Sequence, residues 1–205
     1  MVAASSTIIQ HIDHMRRSEP AWLAFFYCDS REDLKKDLHG LLSSVLFQLC
    51  DQSDPYCDII SALYSTHHHG VQKPSDDVLV RCLMDILELP GQAPVFLIVD
   101  GLDECSNTSA MPSPRRNVLI FLEELINLRL PNLQICITSR PEADIHSFLG
   151  PSAFCSVSLH DEVGHMEDII NYIESIVHTD PEIQEWKAED KQLVIDVLTK
   201  NAGGM

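Results

Sequence analysis

The chain has 205 residues, of which 14 are Lys or Arg and 31 are Asp or Glu, giving a formal net charge of −17. This charge argues against a nucleic-acid partner, because binding to phosphates requires clustered basic side chains. The length and the 45% hydrophobic content predict one buried core, followed by the start of a second domain.

Cysteine usage and hydropathy predict the compartment. The seven cysteines are odd in number, have no CxxC spacing, and several lie inside apolar runs. This pattern is typical of reduced, buried thiols in an intracellular protein. No apolar run approaches the ~18 residues that a membrane span needs, and no signal-peptide core is recognisable. We therefore expect a cytoplasmic protein without a membrane partner.

Apolar periodicity and turn residues predict helices that alternate with short strands. In chain order these are a helix at 5–17, a strand at 21–28, helices at 33–50, 55–64 and 75–89, a strand at 95–100, a helix introduced by 112–114 and running through 128, strands at 133–139 and 153–159, and helices at 163–177 and 191–198. Such an alternation predicts an α/β fold with a doubly wound, mostly parallel sheet and flanking helices.

Three acidic residues follow the apolar strand at 95–100. Asp100 closes the strand, and Asp103 and Glu104 come shortly after Gly101. Open α/β sheets bind ligands at the carboxyl ends of their strands. Asp100 is the candidate metal ligand, because a carboxylate there commonly holds the Mg²⁺ that bridges nucleotide phosphates. Glu104 or Asp103 is the candidate general base for an attacking water. The alternative interpretation is a solvated acidic turn without chemistry.

A second group of polar residues ends the strand at 133–139. In a parallel sheet Thr138, Ser139 and Arg140 should emerge at the same edge as Asp100. An arginine at this edge can stabilise negative charge on a terminal phosphate. These three residues are therefore candidates for nucleotide binding, whereas the alternative for Arg140 is a surface ion pair.

Taken together, these motifs resemble a known family. The segments VFLIVDGLDEC (95–105) and LQICITSRPEADI (133–145) resemble the Walker B and sensor 1 segments of NACHT-type STAND NTPases, in particular the nephrocystin-like N-terminal P-loop domain of large fungal signalling proteins. This resemblance implies a P-loop NTPase fold of the ASCE type, with ATP and Mg²⁺ as ligands. It assigns Asp100 to Mg²⁺, Asp103 and Glu104 to hydrolysis, and Arg140 to sensing the γ-phosphate.

The phosphate loop of that family, GxxxxGK[ST] or Walker A, is not found in the 205 residues, where the first glycine is Gly40. In such a loop, backbone amides cradle the phosphates and the lysine reaches the terminal ones. The helix at 5–17 resembles the one that follows the loop. We therefore expect a fold without the N-terminal P-loop strand that is deficient in nucleotide binding as it stands. A truncated gene model, a fragment and a decayed paralogue all remain open.

The leading hypothesis is a fragment of a STAND/NACHT-type nucleotide-binding signalling switch. Residues 1–160 would form the incomplete NTPase-like core, and 161–205 the acidic helical start of the following subdomain. NTP hydrolysis is then expected only with a phosphate loop, with ATP against GTP left open, and protein partners would be the repeat or effector domains of a larger protein. Two alternatives are a non-catalytic protein-interaction or scaffold module and an unrelated metal-dependent phosphoester hydrolase.

Overall fold

The computed structural model describes residues 2–67, 70–108, 112–158 and 165–202. The chain divides into two compact units, Met1–Ala153 and Phe154–Met205. In chain order the first unit contains α1 (Val2–Met15), β1 (Trp22–Tyr27), α2 (Leu38–Cys50), α3 (Asp54–Thr66), α4 (Asp76–Leu87), β2 (Val95–Asp100), a 3-10 turn (Leu102–Glu104), α5 (Pro114–Asn127), β3 (Leu133–Ile137), α6 (Ala143–Leu149) and a second 3-10 turn (Gly150–Ser152).

Three parallel strands form the sheet of the first unit, in the order β1-β2-β3. Successive side chains of the central strand β2 point to opposite faces, as the pleat requires. Leu97 and Val99 belong to the main core, which also contains residues of α2, α4 and α5. Ile98 packs with Ile12 of α1 in a smaller core. Helices thus cover both faces, and the predicted α/β fold with a parallel sheet is confirmed.

The start of α2 differs from the sequence prediction. The helix was expected to begin at residue 33, but it begins at Leu38. The Asp37 carboxylate accepts a hydrogen bond of 2.9 Å from the backbone N–H of Gly40, which satisfies one of the free amides of the first turn. Asp37 is thus the N-cap residue that fixes where the helix begins. Leu34 therefore lies outside the helix, with 75% of its surface exposed.

The strand predicted at 153–159 is wrong over 153–158, which contain no strand, and Leu159 lies outside the described residues. Strand formation requires a neighbouring strand and a surface on which the apolar side chains can pack. Phe154 is fully exposed and Val157 is 61% exposed, so the apolar side chains of this segment have no such surface. A short run of strand-favouring residues does not by itself show whether such a surface exists.

The second unit is helical, and the helices predicted at 163–177 and 191–198 are confirmed within the described residues. Among the described residues of this unit, Val177 and Ile195 are the most buried apolar side chains. Among the described residues no helix combines the length and apolar character needed to cross a membrane. The helices of this unit are α7 (His165–Thr179), α8 (Pro181–Gln184) and α9 (Ala188–Ala202).

Candidate functional site

The carboxyl ends of all three strands lie at one edge of the sheet, because the strands are parallel. Tyr27 of β1 is paired with Asp100 of β2, and Val99 is paired with Ile137 of β3. The next residue of β3, Thr138, donates its backbone N–H to the carbonyl oxygen of Val99 at 2.9 Å. The end of β2 and the residues after β3 are therefore neighbours, as the sequence predicted from the parallel sheet.

Asp100 lies at the centre of this edge and is only 4% exposed. Its Oδ1 accepts a hydrogen bond from the hydroxyl of Ser5, at an Oγ–Oδ1 distance of 2.5 Å, and another from the hydroxyl of Thr138. Ser5 belongs to α1 and is completely buried. Three separate segments of the chain therefore converge on one carboxylate.

The donors around Asp100 are suited to a hard cation. Carboxylate and hydroxyl oxygens are the ligands that Mg²⁺ prefers, and this ion is usually held by one or two carboxylates together with substrate phosphates. Among the described residues no group of three or more His, Cys, Asp or Glu side chains is arranged to hold a metal. The oxygen atoms around Asp100 are of the chemical type that binds magnesium, and the two hydroxyls are hydrogen-bonded to its carboxylate.

Gly101 makes the turn that directs the acidic residues toward this edge. Its φ of 67° lies in the left-handed region, which residues with a Cβ rarely adopt. The Gly101 N–H donates to Thr138 Oγ1 at 3.1 Å, and the Leu102 N–H donates to the Thr138 carbonyl at 3.0 Å. Thr138 therefore contacts Asp100 and the following turn at once.

Asp103 and Arg140 form a pair across this edge. The backbone N–H of Arg140 donates to Asp103 Oδ1 at 2.9 Å, and its Nε lies 3.5 Å from Oδ2. The Asp103 side chain is 5% exposed, whereas that of Arg140 is 70% exposed. Both carboxylate oxygens of Asp103 thus face Arg140. The sequence placed both residues at this edge but did not predict that they contact each other.

Glu104 has a different environment from Asp103. It is half-buried and lines an open cavity of about 480 Å³ together with Ser30, Arg115 and Arg140. Its backbone N–H is fixed by a 2.7 Å hydrogen bond to the Gly101 carbonyl. Asp103 lines the same cavity, but its carboxylate is paired with Arg140.

Thr138 and Ser139, the two hydroxyl residues predicted for this site, also have different environments. Thr138 bonds Asp100 directly, whereas Ser139 lies half-buried between Thr138 and Arg140. The structure thus places all six predicted site residues at the carboxyl edge of the sheet. Thr138 bonds the carboxylate of Asp100, and Asp103, Glu104 and Arg140 line the cavity, while Ser139 follows Thr138 at the same edge.

Two residues of this site were not predicted from the sequence. Ser5 lies 95 positions from Asp100, and no local pattern connects them. Arg115 lies in the first turn of α5, where its guanidinium donates to the backbone carbonyls of Asp103 and Cys105. A cation in the first turn of a helix is unfavourable next to the helix dipole. The sequence shows this anomaly for Arg115 and Arg116 alike, so it does not single out Arg115.

A pair of thiols lies beneath the acidic turn. The sulfur atoms of Cys105 and Cys28 are 3.3 Å apart, and both side chains are buried. The hydrogen bond with Cys105 and the burial together raise the pKa of the Cys28 thiol well above its usual range. Cys28 is therefore protonated near neutral pH and is not a thiolate nucleophile.

The fold and the acidic carboxyl edge define an α/β protein of the P-loop NTPase-like class. The family model described as "Nephrocystin 3, N-terminal" matches residues 3–140. The chain belongs to this nephrocystin-like family, and its N-terminal region is of the NACHT type.

A curated relative agrees with this assignment. The chain is 28% identical over 100 residues to the "Vegetative incompatibility protein HET-E-1" of Podospora anserina, an alignment that covers 46% of this chain and 7% of the relative. The chain thus spans only a small part of that protein's length. No solved structure matches the chain significantly.

Proposed function

We propose that this NACHT/STAND-like signalling region is the metal-binding and sensing part of a nucleotide-dependent switch. The observation that carries the proposal is the convergence of Ser5, Asp100 and Thr138 on one side of the turn and of Glu104 and Arg140 on the other. A carboxylate, a second acid and an arginine at one strand edge are the groups that phosphoryl transfer uses.

Each residue then has a distinct task. Asp100 would hold Mg²⁺, with Ser5 and Thr138 fixing the orientation of its carboxylate through Oδ1. Glu104 would accept a proton from the attacking water, since it lines the cavity and is not paired with Arg140 as Asp103 is. Arg140 would contact the terminal phosphate, because its guanidinium is the more exposed partner of the ion pair with Asp103.

Mg²⁺ bound with ATP would supply charge neutralisation on the phosphates. The backbone amides and lysine that cradle phosphates in this class belong to GxxxxGK[ST], which the 205 residues do not contain. We therefore propose that nucleotide binding requires a phosphate loop in addition to these residues.

The proposal is tested on a protein to which a phosphate loop has been added. The chain is produced behind a strand and a GxxxxGK[ST] loop, and Mg-ATP binding is measured by isothermal titration calorimetry. Asp100→Asn should weaken Mg-ATP binding by more than about tenfold while leaving metal-free ATP binding little changed. Equal weakening of both would show that Asp100 acts on the fold and not on the metal.

A second candidate function is a non-catalytic protein-interaction module. It is favoured by large apolar side chains that remain exposed in the second unit. Tyr172 is 68% exposed, Leu193 is 61% exposed and Trp186 is 48% exposed. Such a module predicts a protein partner, which would be a repeat or effector domain, and no turnover even with the loop supplied. Mg²⁺- or Mn²⁺-dependent phosphatase activity without a loop would instead indicate a metal-dependent phosphoester hydrolase.

A further inference from the structure

The guanidinium of Arg115 is enclosed next to the acidic turn. Its side chain is 11% exposed, although arginine is among the residues least often buried. Arg115 occupies the first turn of α5, directly after Pro114, where Ser113 already caps the helix by accepting a hydrogen bond from the Arg116 N–H. Its charge is unfavourable beside the positive end of the helix dipole. Capping of α5 therefore does not explain why an arginine occupies position 115.

The contacts of Arg115 explain its position. Its Nη2 donates to the carbonyl oxygen of Asp103, and its Nε donates to the carbonyl oxygen of Cys105 at 3.2 Å. These two carbonyls belong to the residues on either side of Glu104. The third contact is an ion pair of 3.4 Å between Nη1 and Asp144 of α6. One planar group thus connects the acidic turn to two helices.

We propose that Arg115 is a positioning residue for Glu104. It holds the main chain on both sides of Glu104 without touching its carboxylate, so that the carboxylate is presented to the cavity in one orientation. Only a guanidinium has enough donors in a fixed fork to bond two carbonyls and a carboxylate at the same time. This inference rests on the proposed role of Glu104, but its structural part is tested separately.

The first test uses the 205-residue chain and residue-resolved hydrogen exchange. The N–H groups of Glu104 and Cys105 bond carbonyls inside the turn, to Gly101 and Leu102. Arg115→Met should increase the exchange rates of these two amides by about tenfold or more relative to amides of β2, because opening of the turn no longer breaks charge-assisted hydrogen bonds. Arg116→Met is the matched control, since this neighbouring arginine is exposed and lies over the ring of Phe148.

The second test uses the chain with a phosphate loop supplied. Arg115→Met should lower kcat for ATP hydrolysis by about tenfold while KM for Mg-ATP changes less than about twofold, since only the orientation of the base is lost. If Arg115→Met does not fold, Arg115→Lys replaces it, because a single ammonium cannot reproduce the fork. Arg116→Met should leave both kinetic constants unchanged.

The outcomes separate this inference from the proposed function. Unchanged exchange at Glu104 and Cys105 in the Arg115 variants, or equal acceleration in Arg116→Met, would overturn the positioning role. A fall in kcat and a rise in KM together would do the same, since a general loss of structure affects both. Absence of ATP hydrolysis by the loop-supplied protein would overturn the proposed function, while the exchange measurement would still decide the role of Arg115.

Discussion

Asp103 binds Arg140 through both of its carboxylate oxygens, at 2.9 Å to the backbone N–H and 3.5 Å to Nε. This pair joins the turn after β2 to the loop after β3. Since the Asp103 side chain is nearly buried, its oxygens have little access to water. The two adjacent acids that the sequence offered as equivalent general bases are therefore unequal, and Glu104 is the better candidate.

Removing the Asp103 carboxylate should lower the stability of the fold. We expect Asp103→Ala to reduce the free energy of unfolding by about 1–2 kcal/mol, because a hydrogen bond to a charged group inside the protein is lost. Urea unfolding followed by circular dichroism measures this change. Asp13→Ala, which removes an exposed ion pair with Arg16 on α1, should cost about 0.5 kcal/mol or less. Equal costs for the two variants would contradict the contact described.

Glu104→Gln should leave the stability of the fold nearly unchanged and reduce activity instead. Its carboxylate makes no hydrogen bond that holds the turn together, so the free energy of unfolding should change by less than about 0.5 kcal/mol. In the protein with a phosphate loop supplied, the same variant should lose ATP hydrolysis by about 100-fold or more and retain Mg-ATP binding, because a glutamine cannot accept the proton. Hydrolysis at the wild-type rate would remove Glu104 from its proposed role.

The central strand and its acids were predictable because the signal is local. The apolar run at 95–100 is bounded by a turn and by Asp100, and β2 occupies those six residues. β3 ends at Ile137, two residues earlier than predicted, because Thr138 turns its hydroxyl and carbonyl toward Asp100 and the Gly101 turn. A preference for strand conformation does not reveal that a threonine is used for tertiary contacts.

The remaining differences come from interactions between distant segments. Ser5 and Arg115 contribute to the site through contacts that no spacing rule connects with Asp100 or Glu104. The short helix α6 was not predicted, because seven residues give too few turns for a periodic pattern. The common edge of the site was predictable from parallel strands alone. The partner of each carboxylate was not, because it depends on side-chain packing.

Gly101 should be required for its conformation more than for its small size. A Cβ at this position would meet the Cys28 carbonyl at 3.6 Å, an ordinary contact, so the cost comes from the φ of 67°. Gly101→Ala should therefore lower the free energy of unfolding by about 1–2 kcal/mol. Gly91→Ala is a matched comparison, because Gly91 has a φ of 71° and an added Cβ would have open space.

The comparison with Gly91 also separates the effect of Gly101 on stability from its effect on the site. Both variants should be destabilised to a similar degree, but only Gly101→Ala should weaken Mg-ATP binding by the loop-supplied protein. Thermal unfolding and calorimetry measure the two effects separately. A Gly101→Ala protein with unchanged stability would show that the turn adopts another conformation in solution.

Asp29, which follows β1 at the same edge, should titrate at low pH. The Arg31 guanidinium bonds both of its carboxylate oxygens, at 2.9 and 2.8 Å, and together with the Arg31 backbone N–H lowers the pKa of Asp29 to about 2. Because the folded-state pKa lies below the unfolded value, this carboxylate stabilises the fold above about pH 4 and loses that contribution as the pH falls toward 2.

The pKa of Asp29 is measured by carboxyl-carbon NMR as a function of pH. Arg31→Met should return it toward the ordinary aspartate value, whereas the pKa of Asp33, which is lowered by its hydrogen bond with Lys36, should stay where it is. An unchanged pKa of Asp29 in the variant would show that the Arg31 ion pair does not persist in solution.

The 205 residues by themselves should not bind ATP or GTP at sub-millimolar concentration. The carboxyl edge of the sheet carries the carboxylates of Asp100, Asp103 and Glu104, and the whole chain has a net charge of −17. Without a cradle of backbone amides, repulsion between like charges outweighs the attraction of Arg140. Isothermal titration with Mg-ATP should therefore give no heat of binding, while the same chain with a phosphate loop should bind. A micromolar Kd for the 205 residues would contradict this, and its loss in Arg140→Met would then identify Arg140 as the group that holds the phosphates.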